Sequence, residues 1–372
     1  MSERRVRVGV VGAGRFAEEC HVPGVQAHPR GDVVALCARN RERATAMAAR
    51  LSVPEVYTDY RELIARPDVD AITVATPDAL HLPVAVAALE AGKHVFCEKP
   101  LAMNVAEART MVEVADQSGR VAMVAFTFRY ARALQELRRL LGQGAIGTPF
   151  YVAMQVHWGG IIAPGTALTW REQAGESAAG IWADGGAHLF DALAYAVAPA
   201  QQVCAQLMIV PREDGSPQPG TIDLATALAR LRLPGRDSSA RRPSGDADRE
   251  PGTIHVSLLV SRVDRPREGA DGIHVIGTRG ALHVSLTRGQ HERVSLLHAG
   301  SGTWEDVALP DDATTDQPLA LVRMMGAFVD AVLRGHLDPE QDPGFVAGLH
   351  TQLALDAGLR SARSGCWEDV GG

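Results

Sequence analysis

Short apolar runs alternate with helically spaced segments through the first 127 residues. The runs 6–11, 33–37, 71–75, 94–97 and 122–126 are brief, rich in β-branched residues and bounded by Gly, Pro or charge. Between them, 41–51, 60–65, 81–91 and 104–118 repeat apolar positions at three- and four-residue intervals. Near-continuous apolar strands separated by helices imply a parallel sheet covered on both faces. The fold class predicted here is an α/β domain with a doubly wound parallel sheet.

From Phe128 onward the texture changes. A basic helix over 131–141 ends at Gly142 and Gly144, which can cap it. Longer, more alternating stretches follow at 150–156, 201–210, 225–233, 253–260, 273–276 and 281–286, with one clear helix near 187–196. This pattern predicts an α+β domain whose largely antiparallel sheet is open on one face. Residues 234–252 contain almost nothing apolar and are predicted to be a mobile loop between two strands, with Arg236, Arg241, Arg242 and Arg249 as a solvated run. The tail is helical from 319, breaks over 335–343 and resumes over 345–361. The predicted division is therefore 1–127 and 128–372.

Composition narrows the function classes. A length of 372 residues exceeds what one core usually organises, which supports two domains. The net charge of −7 argues against a nucleic-acid partner. No apolar run reaches a membrane span, and the best candidate, 319–333, is interrupted by Arg323 and Asp330. The first apolar run is too short for the core of a signal peptide. Five scattered cysteines without a C-x-x-C pair fit reduced thiols in the cytoplasm, and Cys37 and Cys97 lie in strand-like runs as core residues. The 13 histidines show no metal-ligand spacing, so no metal is expected.

Gly12-Ala13-Gly14-Arg15-Phe16-Ala17 matches G-x-G-x-x-A. Alone this is weak in a chain with 37 glycines, but it follows a strand directly and opens a helical segment. In that context Gly12 permits the tight turn, Gly14 lets a pyrophosphate approach the backbone, and Ala17 allows close helix–strand packing. The helix N-terminus then presents unpaired N–H groups and a positive dipole end to the phosphates. An acidic residue at the C-terminal end of the second strand would hold the adenosine ribose. Asp32 lies at the wrong end, and the correct end reads Ala38-Arg39-Asn40-Arg41 without a carboxylate. Arg39 can meet a 2′-phosphate, so NADP is favoured, with NAD the alternative if Arg39 is an ordinary surface arginine.

Hydride transfer at a carbinol needs an acid/base and a positive group near the oxygen. Glu98-Lys99-Pro100 follows a predicted parallel strand, where open α/β sheets place their ligand crevice, and its Lys-Pro bond can be cis. Taken alone, the tripeptide also describes a surface turn. Asp184 and His188 are four residues apart and share a helix face, which suits a histidine oriented by a carboxylate. Taken alone, they equally describe a helix cap and a buried, satisfied histidine. His157, Trp158 and Trp170 suggest polar hydroxyls beside a flat apolar wall, although core packing explains each as well.

An ordered set of motifs carries a family resemblance. Gly12-Ala13-Gly14, Thr76-Pro77 followed by His81, Glu98-Lys99-Pro100, Phe128-Arg129-Tyr130, Gly144-Ala145-Ile146-Gly147, Trp170-Arg171 and Asp184-x-x-x-His188 resemble the glucose–fructose oxidoreductase / inositol dehydrogenase / rhizopine-catabolism (Gfo/Idh/MocA) family. The resemblance runs on through Gly277-Thr278-Arg279-Gly280 and Ser361-Ala362-Arg363-Ser364-Gly365. It implies an oxidoreductase acting on a secondary alcohol or ketone of a sugar, inositol or related cyclic metabolite. It implies a catalytic set of Lys99, Asp184 and His188, with His188 shuttling the proton. Gly12, Gly14, Arg15, Phe16, Ala17, Arg39, Asn40, Thr76, Pro77, His81, Glu98, Lys99 and Arg129 would meet the cofactor. Lys99, Arg129, Tyr130, His157, Trp170, Arg171, Asp184 and His188 would line the substrate cleft. The helices over about 319–361 would pack back on the Rossmann domain, and the open sheet face would form a homodimer or homotetramer interface.

Three positions depart from the pattern. Ala38 stands where NAD-preferring relatives often carry Asp, Ser177-Ala178-Ala179-Gly180 replaces a glycine run, and 234–252 has no counterpart. Two further functions are compatible with the fold: glycoside cleavage through transient oxidation, and a dinucleotide-binding regulator without turnover. Lys99, Asp184 and His188 together argue against the regulator, which needs no proton shuttle.

Overall fold

The computed structural model describes residues 4–159, 167–212, 220–233, 252–264, 271–286, 292–310 and 317–371, so the segment 234–252 read as a loop lies, except for Gly252, outside the described residues. The helices are α1 (Val22–Ala27), α2 (Arg41–Arg50), α3 (Tyr60–Ile64), α4 (His81–Glu90), α5 (Val105–Ser118), α6 (Arg132–Gly142), α7 (Gly180–Ala196), α8 (Gln317–Arg334) and α9 (Phe345–Ser364). Two units divide the chain: Met1–Tyr130 with Gly175–Ala178 and Asp316–Gln352, and Ala131–Ala174 with Ala179–Thr315 and Leu353–Gly372. Among the described residues no helix is long and apolar enough to cross a membrane.

In the first unit, β1 (Val6–Val11), β2 (Gly31–Cys37), β3 (Glu55–Tyr57), β4 (Ala71–Val74), β5 (His94–Cys97) and β6 (Ala122–Val124) make one sheet in the order β3-β2-β1-β4-β5-β6. Every pairing is parallel. The chain runs outward from β1 to β3, then crosses to β4 and runs out the other way. The C-terminal ends of β1 and β4 therefore flank the reversal of strand order, where such sheets bind ligands. The edge of β6 is covered by the tail: Val124 N–H donates to Pro343 O at 2.8 Å, and Met123 bridges Gly344.

The first helical turns after β1 are irregular. A π turn (Ala17–His21) precedes α1, with Val22 N–H reaching back to Ala17 O. Pro23 explains it, since it has no N–H and a regular helix would leave a carbonyl one turn earlier unpaired. α8 packs on α1 so closely that a Cβ on Gly24 would lie 2.7 Å from Met325. Met324, Met325 and Phe328 are fully buried in the same core as Val8, Val10 and Phe96, and each side chain contributes about 1.5–3 kcal/mol of burial.

In the second unit a nine-stranded sheet runs β14-β13-β12-β11-β7-β10-β9-β8-β15. Its strands are β7 (Pro149–His157), β8 (Gln202–Met208), β9 (Leu224–Arg232), β10 (Thr253–Ser261), β11 (Gly272–Gly277), β12 (Gly280–Ser285), β13 (Arg293–His298), β14 (Trp304–Val307) and β15 (Glu368–Asp369). Only β7 and β10 pair in parallel. Alternation along β9 and β10 buries Ala225, Ala227, Ala229, Val256 and Leu258 against α7, while Thr226, Leu228, Arg232 and His255 on the other face are exposed among the described residues.

α7 starts seven residues before the helix that the sequence predicts. Gly185 and Gly186 lower helix propensity locally, but both sit in tight packing contacts. A Cβ on Gly185 would lie 3.3 Å from Val260, and one on Gly186 would lie 3.1 Å from Leu355 of α9. The short strands β3, β14 and β15 also escape the sequence pattern, because they are largely polar and lie at sheet edges, and β13 next to β14 escapes it as well.

Candidate active site

The turn after β1 has the shape that its glycines require. Gly12 adopts φ +122°, and a Cβ there would lie 2.2 Å from Ala75 O at the end of β4. A Cβ on Gly14 would meet nothing within 4 Å. Ala17 is fully buried against the sheet. Thr76, which follows β4, keeps its Oγ1 buried without a hydrogen-bond partner. A tight turn, an open glycine and an orphaned hydroxyl at the strand switch fit a dinucleotide. Beyond β2, Arg39 is exposed and Asn40 caps α2, its Oδ1 accepting from Arg43 N at 2.9 Å. Arg15 is exposed and pairs with Glu19 at 2.7 Å, while Phe16 packs on the core.

At the end of β5, Glu98 and Lys99 are both buried, and the Lys99–Pro100 bond is cis. His21 Nε2 lies 3.0 Å from Glu98 Oε1, and Glu98 Oε2 lies 3.4 Å from the Lys99 backbone N–H. Burial alone would raise the Glu98 carboxyl. The hydrogen bond and charge of His21, with the charges of Lys99 and His81, outweigh it and hold the group below its ordinary value. His81 is fully buried, with Nδ1 2.9 Å from Pro100 O and Nε2 3.2 Å from Thr76 O, so it fixes the loops after β4 and β5.

In the second unit, Asp184 and His188 leave α7 one turn apart. The Asp184 carboxylate meets Arg171 Nε at 3.3 Å, and the Arg171 guanidinium lies 4.4 Å over the Trp170 ring. His188 is buried, and its ring stands edge-on to Trp158 at 5.8 Å. His157 is held by Asp271, whose Oδ1 lies 2.7 Å from Nδ1 and accepts from the His157 backbone N–H at 2.9 Å. The first residue of α7, Gly180, takes φ +57°, and Ile181 N–H donates to Ile222 O at 2.8 Å. The one glycine left in Ser177-Ala178-Ala179-Gly180 thus takes a left-handed conformation at the start of α7.

A buried ion network supports Trp170-Arg171. Arg262 donates through Nη1 to Glu172 at 2.8 Å, through Nε to Asp223 at 2.9 Å and through Nη2 to Thr221 Oγ1 at 2.7 Å. Glu172 closes a capping box with Thr169 around the Trp170–Glu172 turn, and Thr221 Oγ1 donates to Arg171 O at 2.9 Å. Sequence reasoning missed Arg262, Glu172, Asp223 and His21. Only the Thr169-x-x-Glu172 spacing and the proline within the first helix hint at any of them.

Tyr130 and Arg129, both expected in a cleft, are buried. Tyr130 lies in the first unit's core, with its hydroxyl donating to Asp342 at 2.9 Å, which removes its reason for facing substrate. Arg129 is buried, and its carbonyl accepts from Gln341 at 2.8 Å.

Comparisons with known proteins bear on both units. Residues 6–126 match the oxidoreductase family with an NAD-binding Rossmann fold, and 134–236 match the Gfo/Idh/MocA C-terminal domain. The 1,5-anhydro-D-fructose reductase of Ensifer adhaerens is 35% identical over 189 residues, 51% of this chain and 56% of its own. The levoglucosan dehydrogenase of Pseudarthrobacter phenanthrenivorans is 32% identical over 214 residues, 55% of this chain and 54% of its own. The chain therefore spans about half the length of these curated relatives. A solved levoglucosan dehydrogenase, in complex with NADH and levoglucosan, superposes with a TM-score of 0.85 at 23% identity, covering 99% of this chain and 100% of that one. Two family domains matched in order, on the fold described above, place this chain in the Gfo/Idh/MocA oxidoreductase family.

Proposed function

We propose that the chain is an NADP-dependent oxidoreductase that interconverts a secondary alcohol and a ketone on a sugar, inositol or related cyclic metabolite. The carrying observation is that open Gly14, the orphaned Thr76 hydroxyl and buried Lys99 follow the C-terminal ends of the neighbouring strands β1, β4 and β5. When bound, the dinucleotide supplies hydride acceptance or donation. Gly12, Gly14, Ala17 and Thr76 hold it. Lys99 places a compact positive charge at the substrate oxygen, His188 carries the proton, and Arg171 fixes Asp184. The chain has only two lysines, Lys93 and Lys99. Lys93 is consumed as a clamp donating to Arg66 O and Val69 O, both at 2.7 Å. At Lys99 the chain departs from its use of arginine, as suits a small rotatable donor beside a reacting atom. Arg129, Trp170 and His157 complete the substrate-facing set.

Arg39, with no carboxylate over 38–41, is the argument for NADP. NAD is the second reading. Burial, then the charges of Asp59 and Glu62, push the Cys37 thiol up to about 11, which puts two carboxylates near the ribose end of β2. The similar levoglucosan dehydrogenase was solved with NADH. Fluorescence titration with NADPH and NADH separates the two. Preference for NADPH that disappears in Arg39→Ala supports the first, and preference for NADH overturns it. Lys99→Ala and His188→Ala are each expected to lower kcat by about 10² or more with dinucleotide affinity retained, and near-wild-type turnover in both refutes the catalytic set. Association into a homodimer or homotetramer through the sheet face on which Leu228 is about half exposed, and a cytoplasmic setting, complete the reading.

A further inference from the structure

Glu98 is an expensive residue to bury. A carboxylate at this depth loses several kcal/mol of hydration unless partners replace it, and an apolar side chain would pack without that cost. Its partners come from separate elements. His21 and Cys20 face it from the π turn after the dinucleotide turn, His81 from α4, and Cys97 and Lys99 from its own strand end. Burial first, and then the Glu98 charge, push the Cys20 and Cys97 thiols upward, so both remain neutral. The charges available to balance the carboxylate are His21, Lys99 and His81.

His21 is built for this contact. Its side chain is fully buried and its ring stands edge-on to Phe96 at 5.3 Å. Its Nδ1 has no hydrogen-bond partner, so the ring's polar contact runs through Nε2 to Glu98 Oε1 at 3.0 Å. The π turn ends on His21 itself, and a wide turn re-aims the side chains that follow it. The other carboxylate oxygen lies 3.4 Å from the Lys99 N–H, so one side chain spans from the first helical segment to the backbone of Lys99.

We propose that His21 and Glu98 are positioning residues for Lys99, with Glu98 fixing the Lys99 backbone and His21 fixing Glu98. This rests on the oxidoreductase reading, in which Lys99 meets the substrate oxygen. It adds that the helix beginning at the dinucleotide turn also sets the lysine.

The presence of only two lysines allows a direct test on the full chain. Protein labelled with 13C and 15N at lysine gives two ε-methylene signals, and Lys93→Arg assigns them. In Glu98→Gln and His21→Phe the Lys99 signal is expected to move while that of Lys93 stays. His21→Gln, which keeps an N–H donor near the Nε2 position, is expected to restore it. With 1,5-anhydro-D-fructose or levoglucosan as the probe substrate, kcat should fall about tenfold or more in His21→Phe with KM and dinucleotide Kd within about twofold, and recover in His21→Gln. The acid limb of the pH profile should also move up in His21→Phe, because Glu98 then keeps its burial and loses its His21 partner. An unmoved Lys99 signal in both variants overturns the positioning role whatever the turnover. Failure of the wild-type protein to bind either dinucleotide overturns the oxidoreductase reading instead.

Discussion

Arg262→Met removes the cation shared by two buried carboxylates. The Arg262 and Glu172 side chains are each 9% exposed and that of Asp223 is 1% exposed, so water cannot take over the lost contacts. Removing one partner of a buried ion pair costs about 3–5 kcal/mol, mostly through the charge left behind. In a body of roughly 200 residues each kcal/mol moves the melting temperature by about 2–4 °C, so a drop on the order of 10 °C is expected by circular dichroism. Arg262→Lys keeps the charge but loses the fork that spans Glu172, Asp223 and Thr221, and should fall between. Neutralising the orphans in Arg262→Met/Glu172→Gln/Asp223→Asn should recover at least half of the loss. Substrate KM should rise in Arg262→Met, because the capped turn that presents Trp170 and Arg171 loses its support. A melting temperature within about 2 °C of wild type, or a triple variant as unstable as the single one, would refute the reasoning.

Two glycines of the same turn should respond differently. Gly12→Ala puts a methyl group 2.2 Å from Ala75 O at φ +122° and should cost about 1–3 kcal/mol of stability, read by melting. Gly14→Ala meets nothing in the protein and should leave the melting curve alone while weakening dinucleotide binding about tenfold or more; equal effects of both would be inconsistent with a cradle. Burial, and then the Arg120 charge, lower His94 from 6.5 to about 4, and its Nδ1 accepts from Val121 N–H at 3.0 Å. The native state thus disfavours the protonated ring, so the unfolded chain binds the proton first and stability declines as pH falls from 6.5 towards 4. His94→Asn, which keeps an acceptor without the titration, should flatten that decline in urea titrations across the window.

The elements legible in the sequence are those whose burial is uniform. β1 and β5 begin and end where the sequence pattern puts them, because strands covered on both faces stay largely apolar, with Arg7 near the start of β1 and His94 at the start of β5 as the exceptions. Asn104 and Asn40 likewise mark helix starts through a local hydrogen bond, which sequence neighbours alone decide. β3 and β14 failed for the opposite reason: Glu55-Val56-Tyr57 and Trp304-Glu305-Asp306-Val307 are polar edges, and charge there hides a strand while protecting it from further pairing. Of the candidate site, Gly12, Gly14 and Lys99 could be read because each is defined by its place at a strand end. Arg262 could not, since its partners lie 39 and 90 residues away and nothing local distinguishes it from a surface arginine.

The late start expected for α7 shows how tertiary contact reverses a local preference. Gly185 and Gly186 each weaken a helix by about 1 kcal/mol relative to Ala. Added methyl groups there would lie 3.3 Å from Val260 and 3.1 Å from Leu355, so alanine would crowd the contacts with the sheet and with α9 by a few tenths of an ångström. A third glycine acts on the same side: a Cβ on Gly358 of α9 would lie 2.2 Å from the Trp182 ring, whose Nε1 donates to Leu355 O at 2.9 Å. α7 is thus held by backbone approaching side chain on two faces, with little room to slide or roll. Asp184 and His188 inherit that rigidity, since their Cα positions are fixed before their own rotamers are chosen. The loss of intrinsic helix propensity therefore serves placement of the proposed acid/base pair, and a sequence reading that weighs propensity alone starts the helix only after Asp184.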